Sequence, residues 1–325
     1  MARVAMKSST SLGIFAVLAV TGGCLALHEP AVRGVQAAEK RPPAKSSSHS
    51  TAPVAPQPAS PESTGADLLF YEGFETGKVG PGWTGFALHH RTPRPEESGS
   101  VDVVTDPVRK GKYALKLTIR AGDSVVQGDE TRDKERCEFL RLNSCRKGPC
   151  SLGNEGREGS DLWYAWSVLI PEDYKYVDTS PQNYQIMGQW HDQPEPGRKP
   201  TGNSPPISVH YHSSGPSQGF RIQYGLRKRG PIQEMDAPIQ KGKWVDLMFH
   251  IRFSQGSDGF LEAWKDGEMF ASSSGATRIT GPNMFNAEPD YLRLGLYRGR
   301  SQTQTNTFYY DEIRIGTTKA AVQAQ

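Results

Sequence analysis

The sequence of 325 residues has one long apolar run, near its N-terminus, and no other. No long stretch repeats apolar residues at the spacing of an α-helix. A membrane-spanning helix needs about 18 or more consecutive apolar residues, so we predict none after residue 27. The formal net charge is only +3, with 38 Lys and Arg against 35 Asp and Glu. This balance permits an acidic partner without requiring nucleic acid. We detect no internal repeats.

Cysteine is scarce, with only Cys24, Cys137, Cys145 and Cys150 in the chain. None belongs to a Cys-x-x-Cys pair, which disfavours a zinc site. In an oxidising compartment a disulfide is expected, and Cys145 with Cys150 is the simplest closure. Cys137 could instead pair with either of them.

The first 38 residues have the pattern of an export signal. A basic start, Met1–Lys7, precedes a mostly apolar run over 12–27 that is too short to span a bilayer comfortably. The segment ends either at the small-x-small sequence Val35-Gln-Ala37 or at Thr21-Gly-Gly-Cys24, which resembles a bacterial lipobox. We therefore predict a periplasmic or extracellular protein, with a lipid anchor at Cys24 as the second processing route.

Residues 39–66 contain almost no aliphatic side chains and are rich in Pro, Ser and Ala. Such a composition cannot form a core, so it predicts a disordered spacer. A tether would suit a domain held away from a membrane or wall, and a linker with no further role is an equally good interpretation. We also predict a short disordered tail over 318–325.

Strand signals dominate the segment 67–317. Alternating or apolar runs bounded by Gly and Pro mark the following ranges: 68–75, 113–119, 163–170, 183–192, 207–212, 220–226, 245–253, 259–264, 268–270, 291–298 and 307–315. Asp266-Gly267 between two of these runs is a strong hairpin signal. About a dozen strands with this punctuation predict an all-β domain, a β-sandwich of jelly-roll type.

Several of these strands present polar side chains on one face. Strict alternation over 183–192 places Gln185, Met187, Gln189 and His191 together, opposite Tyr184, Ile186 and Trp190. Over 291–298, three leucines oppose Tyr291, Arg293 and Tyr297. Other strands contribute Arg136 with Glu138, His210 with His212, and Arg221 with Gln223. One solvated face is ordinary for an antiparallel sheet, but five such strands with few carboxylates predict a groove for an anionic ligand.

Seven motifs spread over 67–317 resemble the polysaccharide lyases of the heparin lyase I type, which share a concanavalin A-like jelly roll with alginate and glucuronan lyases. They are Phe70-Tyr-Glu-Gly-Phe-Glu75, Arg136-Cys-Glu138, Tyr164-Ala-Trp-Ser167, Gln185-Ile-Met-Gly-Gln-Trp-His191, Gly242-Lys-Trp244, Leu292-Arg-Leu-Gly-Leu-Tyr-Arg298 and Tyr310-Asp-Glu-Ile-Arg-Ile-Gly316. The resemblance implies that His191 is the catalytic base and Tyr297 the acid. Arg293 departs from the lysine that is frequent at its position.

The chemistry of a uronide lyase requires similar residues. The enzyme removes the C5 proton beside a carboxylate, so donors must neutralise that carboxylate. Arg136, Gln189 and Arg293 are candidates for this clamp, and Glu138 would hold Arg136. Further candidate substrate contacts are Gln185, His90, His210 and Arg221. The sequence thus predicts an exported, monomeric lyase that cleaves a uronate-containing acidic polysaccharide by β-elimination.

No cofactor is expected for this chemistry. His210 and His212 have strand spacing compatible with one metal, but no third ligand is near in the sequence, which disfavours zinc. Glu72, Glu75 and Asp311 could supply oxygen ligands to a structural calcium where the first and last strands meet. Exposed carboxylates without a metal are the simpler interpretation.

Three other functions compete with the lyase. A non-catalytic carbohydrate-binding module would have the same groove without a working base and acid. A glycoside hydrolase would need two carboxylates flanking the bond, and the nearest run, Glu262-Ala-Trp-Lys-Asp266, does not match the spacing of jelly-roll hydrolases. An envelope-tethered structural protein would fit the spacer but leaves the polar faces unexplained.

Overall fold

The structure, a computed structural model, describes residues 67–83, 85–88, 100–121, 134–141, 156–176, 184–195, 197–198, 205–212, 218–227, 229–299 and 302–323. The predicted export signal with Cys24, the spacer, His90 and the Cys145–Cys150 disulfide lie outside these residues. Within them, no helix is long and apolar enough to cross a membrane.

The described residues form sixteen strands and one short helix. The strands are β1 (Leu68–Glu72), β2 (Gly85–Leu88), β3 (Val101–Val104), β4 (Ala114–Ile119), β5 (Lys134–Leu140), β6 (Asp161–Leu169), β7 (Gln185–His191), β8 (Ile207–His212), β9 (Gly219–Tyr224), β10 (Gln233–Pro238), β11 (Trp244–Arg252), β12 (Phe260–Lys265), β13 (Glu268–Met269), β14 (Arg278–Thr280), β15 (Tyr291–Gly299) and β16 (Asn306–Gly316). The helix, α1, is Lys319–Val322.

Two antiparallel sheets divide these strands. The front sheet has the order β10-β9-β8-β7-β15-β5-β2, and the back sheet has the order β13-β12-β11-β6-β16-β4-β3, with β1 on β16 and β14 on β12. Neighbouring strands are far apart in sequence in both sheets, as in β6 beside β16 and β7 beside β15. The prediction of an all-β sandwich of jelly-roll type is confirmed.

The hydrophobic core lies between the two sheets. On β11 every second side chain is buried, so Phe249 faces inward and its ring stacks on Trp166 of β6 at 4.6 Å between centroids. Trp190 of the front sheet meets the same ring at 5.2 Å. Burying each such side chain stabilises the fold by roughly 2 kcal/mol, which fixes the two sheets against each other.

A buried ion pair closes one end of the core. Arg298 continues the inward-facing row of β15, and its Nε donates to Glu135 Oε2 on β5 at 2.7 Å, with both side chains fully buried. Arg298 also donates to Asn306 on β16. An ion pair inside a protein is stable only when its hydrogen bonds are made, and these contacts span both sheets.

A β-bulge in β7 overturns part of the predicted alternation. Met187 is buried in the core, and a Cβ on Gly188 would lie 3.1 Å from the Trp166 ring, so two successive positions face inward. The pairing of β7 with β8 shifts between Ile186 and Gly188. Gln189 and His191 therefore lie on the outer face, but Gln185 and Met187 do not. The prediction that all four share a face is wrong, because a bulge reverses the phase of a strand.

The end of the chain is more ordered than the sequence predicts. Thr318 caps α1 by accepting the amide of Ala321 at 3.4 Å, and Val322 is fully buried. A Cβ on Gly316 of β16 would lie 3.2 Å from the Val322 side chain. The prediction of a disordered tail is thus wrong for 318–323, because one apolar residue anchors the turn to the sheet.

Candidate active site

The outer face of the front sheet gathers most of the predicted site residues. Adjacent strands β5, β15, β7, β8 and β9 contribute, in that order, Arg136 and Glu138; Tyr291, Arg293 and Tyr297; Gln189 and His191; His210; and Arg221. Arg293 pairs with Gln189 across one boundary and Tyr297 with Arg136 across the other. Residues that are far apart in sequence thus form one continuous polar surface.

Glu138 lies at the centre of this surface and is fully buried. Gln189 donates to its Oε1 at 2.5 Å, while Arg136 Nε lies 3.1 Å and Arg293 Nη1 lies 3.9 Å from its Oε2. A buried carboxylate is stable only when it is paired in this way. One anion is thus surrounded by two guanidinium groups and by one amide that donates a hydrogen bond to it.

The backbone beside Glu138 comes close because β15 has a glycine there. Gly295 pairs with Glu138, has φ of +141°, and a Cβ on it would lie 2.2 Å from the carbonyl oxygen of Cys137. No other residue fits this approach of two strands. The glycine in the motif around Arg293 and Tyr297 is thus a requirement of the site's geometry.

His191 lies at the end of β7, with 24% of its side chain exposed. Its Nδ1 lies 2.8 Å from the carbonyl oxygen of Asp192. Since a carbonyl only accepts hydrogen bonds, Nδ1 carries the proton and Nε2 has the free lone pair. Burial lowers the pKa of His191 well below its usual value, and the positive charges of Arg293 and Arg136 lower it further. The imidazole is therefore neutral, the form that a base requires.

The two tyrosines of β15 lie at different ends of the cluster. Arg136 stacks over the Tyr297 ring at 4.0 Å, and Tyr184 meets that ring edge-on at 5.2 Å. Tyr291 is the residue that pairs with His191, and their rings are 5.5 Å apart. Tyr297 is six residues farther along the strand, so the Cα atoms of Tyr297 and Tyr291 are separated by roughly 20 Å.

Tyr291 is a site residue that the sequence reasoning did not select, although alternation already placed it on the polar face. Its hydroxyl oxygen accepts a hydrogen bond from Arg293 Nε at 3.0 Å and a second from Nη2 of the same guanidinium. Burial raises the pKa of Tyr291, against the lowering effect of Arg293. The phenol therefore keeps its proton, and its oxygen is already occupied by the arginine.

The sequence model of one family, described as polysaccharide lyase, matches residues 74–314. The chain belongs to the polysaccharide lyase family. The prediction of a lyase is thereby confirmed at this level, and the heparin lyase I type stays a prediction. No curated protein matches the chain.

Solved structures resemble the lyase in fold. The endo-β-1,4-glucuronan lyase from the fungus Trichoderma reesei superposes with a TM-score of 0.56 at 17% identity, over 78% of this chain and 98% of that one. The alginate lyase PA1167 from Pseudomonas aeruginosa gives a TM-score of 0.43 at 15% identity, over 70% of this chain and 87% of that one. At 17% identity, the likeness to the glucuronan lyase concerns the fold alone.

Three of the predicted substrate contacts have other roles in the lyase. Gln185 faces the core, where it contacts the Tyr174 hydroxyl and donates to the carbonyl of Tyr211 at 3.4 Å. His210 is buried beside Ser208 Oγ at 2.9 Å, and burial lowers its pKa to about 3, so it is uncharged. Arg221 is held by Asp236 at 2.7 Å and Glu234 at 3.2 Å. None of the three offers a free positive charge on the outer face of the front sheet.

The carboxylates predicted to bind calcium are used by the backbone instead. Glu72 accepts the amides of Phe74 and Gly80, Glu75 accepts that of Lys112, and Asp311 accepts those of Arg109, Lys110 and Glu312. The described residues contain no group of three side chains placed to hold a metal ion. The geometry gives the calcium prediction no support in this part of the chain.

The residues considered for a glycoside hydrolase lie on the other sheet. Glu262 of β12 contacts His250 Nδ1 at 3.0 Å and accepts from Arg278 Nε at 3.0 Å. Asp266 follows the same strand, where its Oδ1 accepts the amide of Asp246 at 2.9 Å. Both carboxylates are therefore committed to contacts on the back sheet, away from the cluster around Glu138.

Proposed function

We propose that the lyase cleaves a uronate-containing acidic polysaccharide by β-elimination in the groove of the front sheet. The observation that carries this proposal is the cluster of Arg136, Gln189 and Arg293 around Glu138, next to the neutral His191. A polar surface with this composition suits a sugar acid better than a neutral sugar.

The cluster supports the first requirement of the reaction, neutralisation of the substrate carboxylate. Two guanidinium charges against the single charge of Glu138 leave one net positive charge on the surface. Because Glu138 fixes the donors beforehand, little reorganisation is needed as charge develops on the substrate. This arrangement favours a more acidic C5–H bond in the bound substrate.

His191 acts as the base in our proposal. The resemblance implies that Tyr297 is the acid, whereas the strand register favours Tyr291, because base and acid must both reach one sugar residue. The C5–H bond breaks and its proton moves to Nε2 of His191, the electron pair forms the C4–C5 double bond, and the C4–O4 bond breaks. The leaving oxygen takes its proton from the phenol. Both tyrosines are therefore candidates for this donor.

The N-terminal sequence supports a proposal for the location of the enzyme. We propose export through the signal within 1–38, with the spacer 39–66 holding the catalytic domain away from a membrane or wall. Acidic polysaccharides are found outside the cytoplasm, so a substrate of this class fits that location. We propose that the enzyme works as a monomer.

The test measures the ultraviolet absorbance of the unsaturated product during incubation with glucuronan, alginate, a heparin-like chain and a neutral glucan. We expect the signal to rise on one uronate polymer and not on the glucan. It should fall at least about 100-fold in His191→Ala, which loses the base. Tyr297→Phe and Tyr291→Phe, compared side by side, identify the acid by the larger loss of kcat.

The proposal fails in either of two ways. One is that no uronate polymer yields product while binding is retained, which would indicate a binding function for this groove. The other is that His191→Ala keeps the wild-type kcat.

A further inference from the structure

Two buried aspartates flank the proposed base. Asp192 directly follows His191, and Asp290 directly precedes Tyr291, the residue paired with His191. The antiparallel register therefore places the two aspartates opposite each other at the ends of β7 and β15. They are 4% and 1% exposed, respectively. Two like charges buried so close together cannot both be stable.

The surroundings decide which of the two carries the charge. Asp290 Oδ2 is buried and accepts no hydrogen bond from the described residues. Burial raises the pKa of Asp290 well above its usual value, and the charge of Asp192 raises it further. Asp192, in contrast, has Oδ1 3.5 Å from Nδ1 of His191. An anion is thus disfavoured on Asp290, and the carboxyl group that lies beside the imidazole is that of Asp192.

The charges around His191 explain why an anion is needed there. Besides burial, the guanidinium groups of Arg293 on β15 and Arg136 on β5 lower the pKa of His191, and the hydrogen bond to the Asp192 carbonyl raises it. When the base takes the C5 proton, a third positive charge forms in the same place. A carboxylate against the far side of the ring stabilises such an imidazolium and keeps the ring oriented.

We propose that Asp192 is the positioning residue of His191, and that Asp290 stands beside it as a neutral carboxylic acid. Asp192 holds Nδ1 through its carbonyl, and its carboxylate lies 3.5 Å from the same nitrogen, so that the lone pair of Nε2 points away from both. Asp290 fills the remaining space without competing for the imidazole. This proposal rests on the proposed role of His191 as the base.

A pair of matched variants tests these unequal roles. Asp192→Asn and Asp290→Asn each remove one ionisable carboxyl group and keep the shape of the side chain. For Asp192→Asn we expect kcat to fall about 10- to 100-fold with KM within about twofold, as for residues that orient a functional histidine. For Asp290→Asn we expect kcat within about twofold of wild type. Asp192→Glu should recover part of the loss, because it restores the charge.

Nitrogen-15 NMR of the His191 imidazole tests the same proposal without substrate. We expect the Nδ1-protonated tautomer in the wild type, and a lower pKa of His191 in Asp192→Asn than in Asp290→Asn. The thermal unfolding midpoint shows whether each variant is folded, and Asp192→Ser is a second neutral variant if Asp192→Asn is not.

Separate outcomes overturn the two proposals. The positioning role is wrong if Asp290→Asn loses as much kcat as Asp192→Asn, or if the imidazole titrates identically in both variants. If the wild type yields no product on any polymer, the proposed function fails, but the NMR titration still decides the role of Asp192.

Discussion

At the scale of single residues, Glu138 connects the fold to the chemistry. Its carboxylate is inaccessible to solvent, and it contacts Gln189, Arg136 and Arg293 on the outer face of the front sheet. Its removal would therefore affect both stability and activity, whereas a residue that only binds substrate would affect activity alone.

Glu138→Gln should lower the free energy of unfolding by about 2 kcal/mol, because two guanidinium groups lose their shared anion. This value is below that for a fully buried pair, since Arg136 and Arg293 keep 18% and 10% of their side chains exposed. Activity should fall at least about 100-fold. Urea denaturation and initial rates measure the two effects.

A surface pair serves as the control for Glu138. Asp236 binds Arg221 at 2.7 Å but is 41% exposed, so Asp236→Asn should cost less than about 1 kcal/mol. Equal losses of stability in Asp236→Asn and Glu138→Gln would contradict the central role of Glu138.

Arg293 stands at a position where the resemblance to lyases of the heparin lyase I type leads us to expect a lysine. Its guanidinium bonds the Tyr291 hydroxyl through two nitrogens and lies 4.9 Å from the Tyr291 ring centroid. Arg293→Lys keeps the charge but cannot make this forked contact. We expect kcat/KM to change by about tenfold, and we expect the ratio of kcat/KM on glucuronan to kcat/KM on alginate to be altered.

Rates on glucuronan and alginate in parallel measure the effect of Arg293→Lys. An unchanged ratio between the two polymers would show that Arg293 has no part in substrate choice.

At the scale of elements, the sequence predicted the longer alternating strands, but it marked no range for β2, β3, β10 or β14 and did not predict the irregularities. Each range that alternation marked contains a strand, because one buried face leaves a period of two. The bulge at Met187 and Gly188 could not be seen, since the extra residue is set by packing against Trp166 and Leu294 of other strands. For the same reason Gln185 was placed on the wrong face. Tyr291 was not recognised as the neighbour of His191, because alternation within one strand does not give the register between β7 and β15.

The pairing of β5 with β15 provides the test at this scale. Gly295→Ala should lower the free energy of unfolding by about 3 kcal/mol, because its Cβ would lie 2.2 Å from the Cys137 carbonyl and its φ is +141°. Gly230→Ala is the matched control, since a Cβ there meets nothing within 4 Å. Chemical denaturation of both variants measures the difference. Equal stability would mean that β15 can move away from β5.

At the scale of the whole molecule, the β-sandwich buries ionisable groups whose effects on the pH dependence of stability have opposite signs. Burial raises the pKa of Asp311 to about 6, so the stability that its protonated form contributes is present at low pH and lost as the pH rises through about 6. Burial of His210 has the opposite effect. The pH dependence of wild-type stability is therefore the sum of these opposing effects. The effect of one group is isolated by comparing the stability of the wild type with that of a variant that lacks the group.

His210→Gln isolates the effect of one buried histidine. The folded pKa of about 3 lies below the unfolded value of roughly 6.5, so the unfolded chain binds an extra proton between them. Stability linked to His210 is therefore complete above pH 6.5 and is lost as the pH falls toward 3, at about 1.4 kcal/mol per pH unit. Between pH 7 and pH 5 the free energy of unfolding of the wild type should fall by about 2 kcal/mol more than that of His210→Gln, in which this position no longer titrates.

Urea denaturation at both pH values gives this difference. Asp311 contributes equally to the two proteins, so its effect cancels. Ser208→Ala removes the hydroxyl 2.9 Å from the ring and should keep the wild-type slope. A slope in His210→Gln equal to that of the wild type would mean that His210 is protonated in the folded protein, and the groove would then carry one more positive charge than we propose.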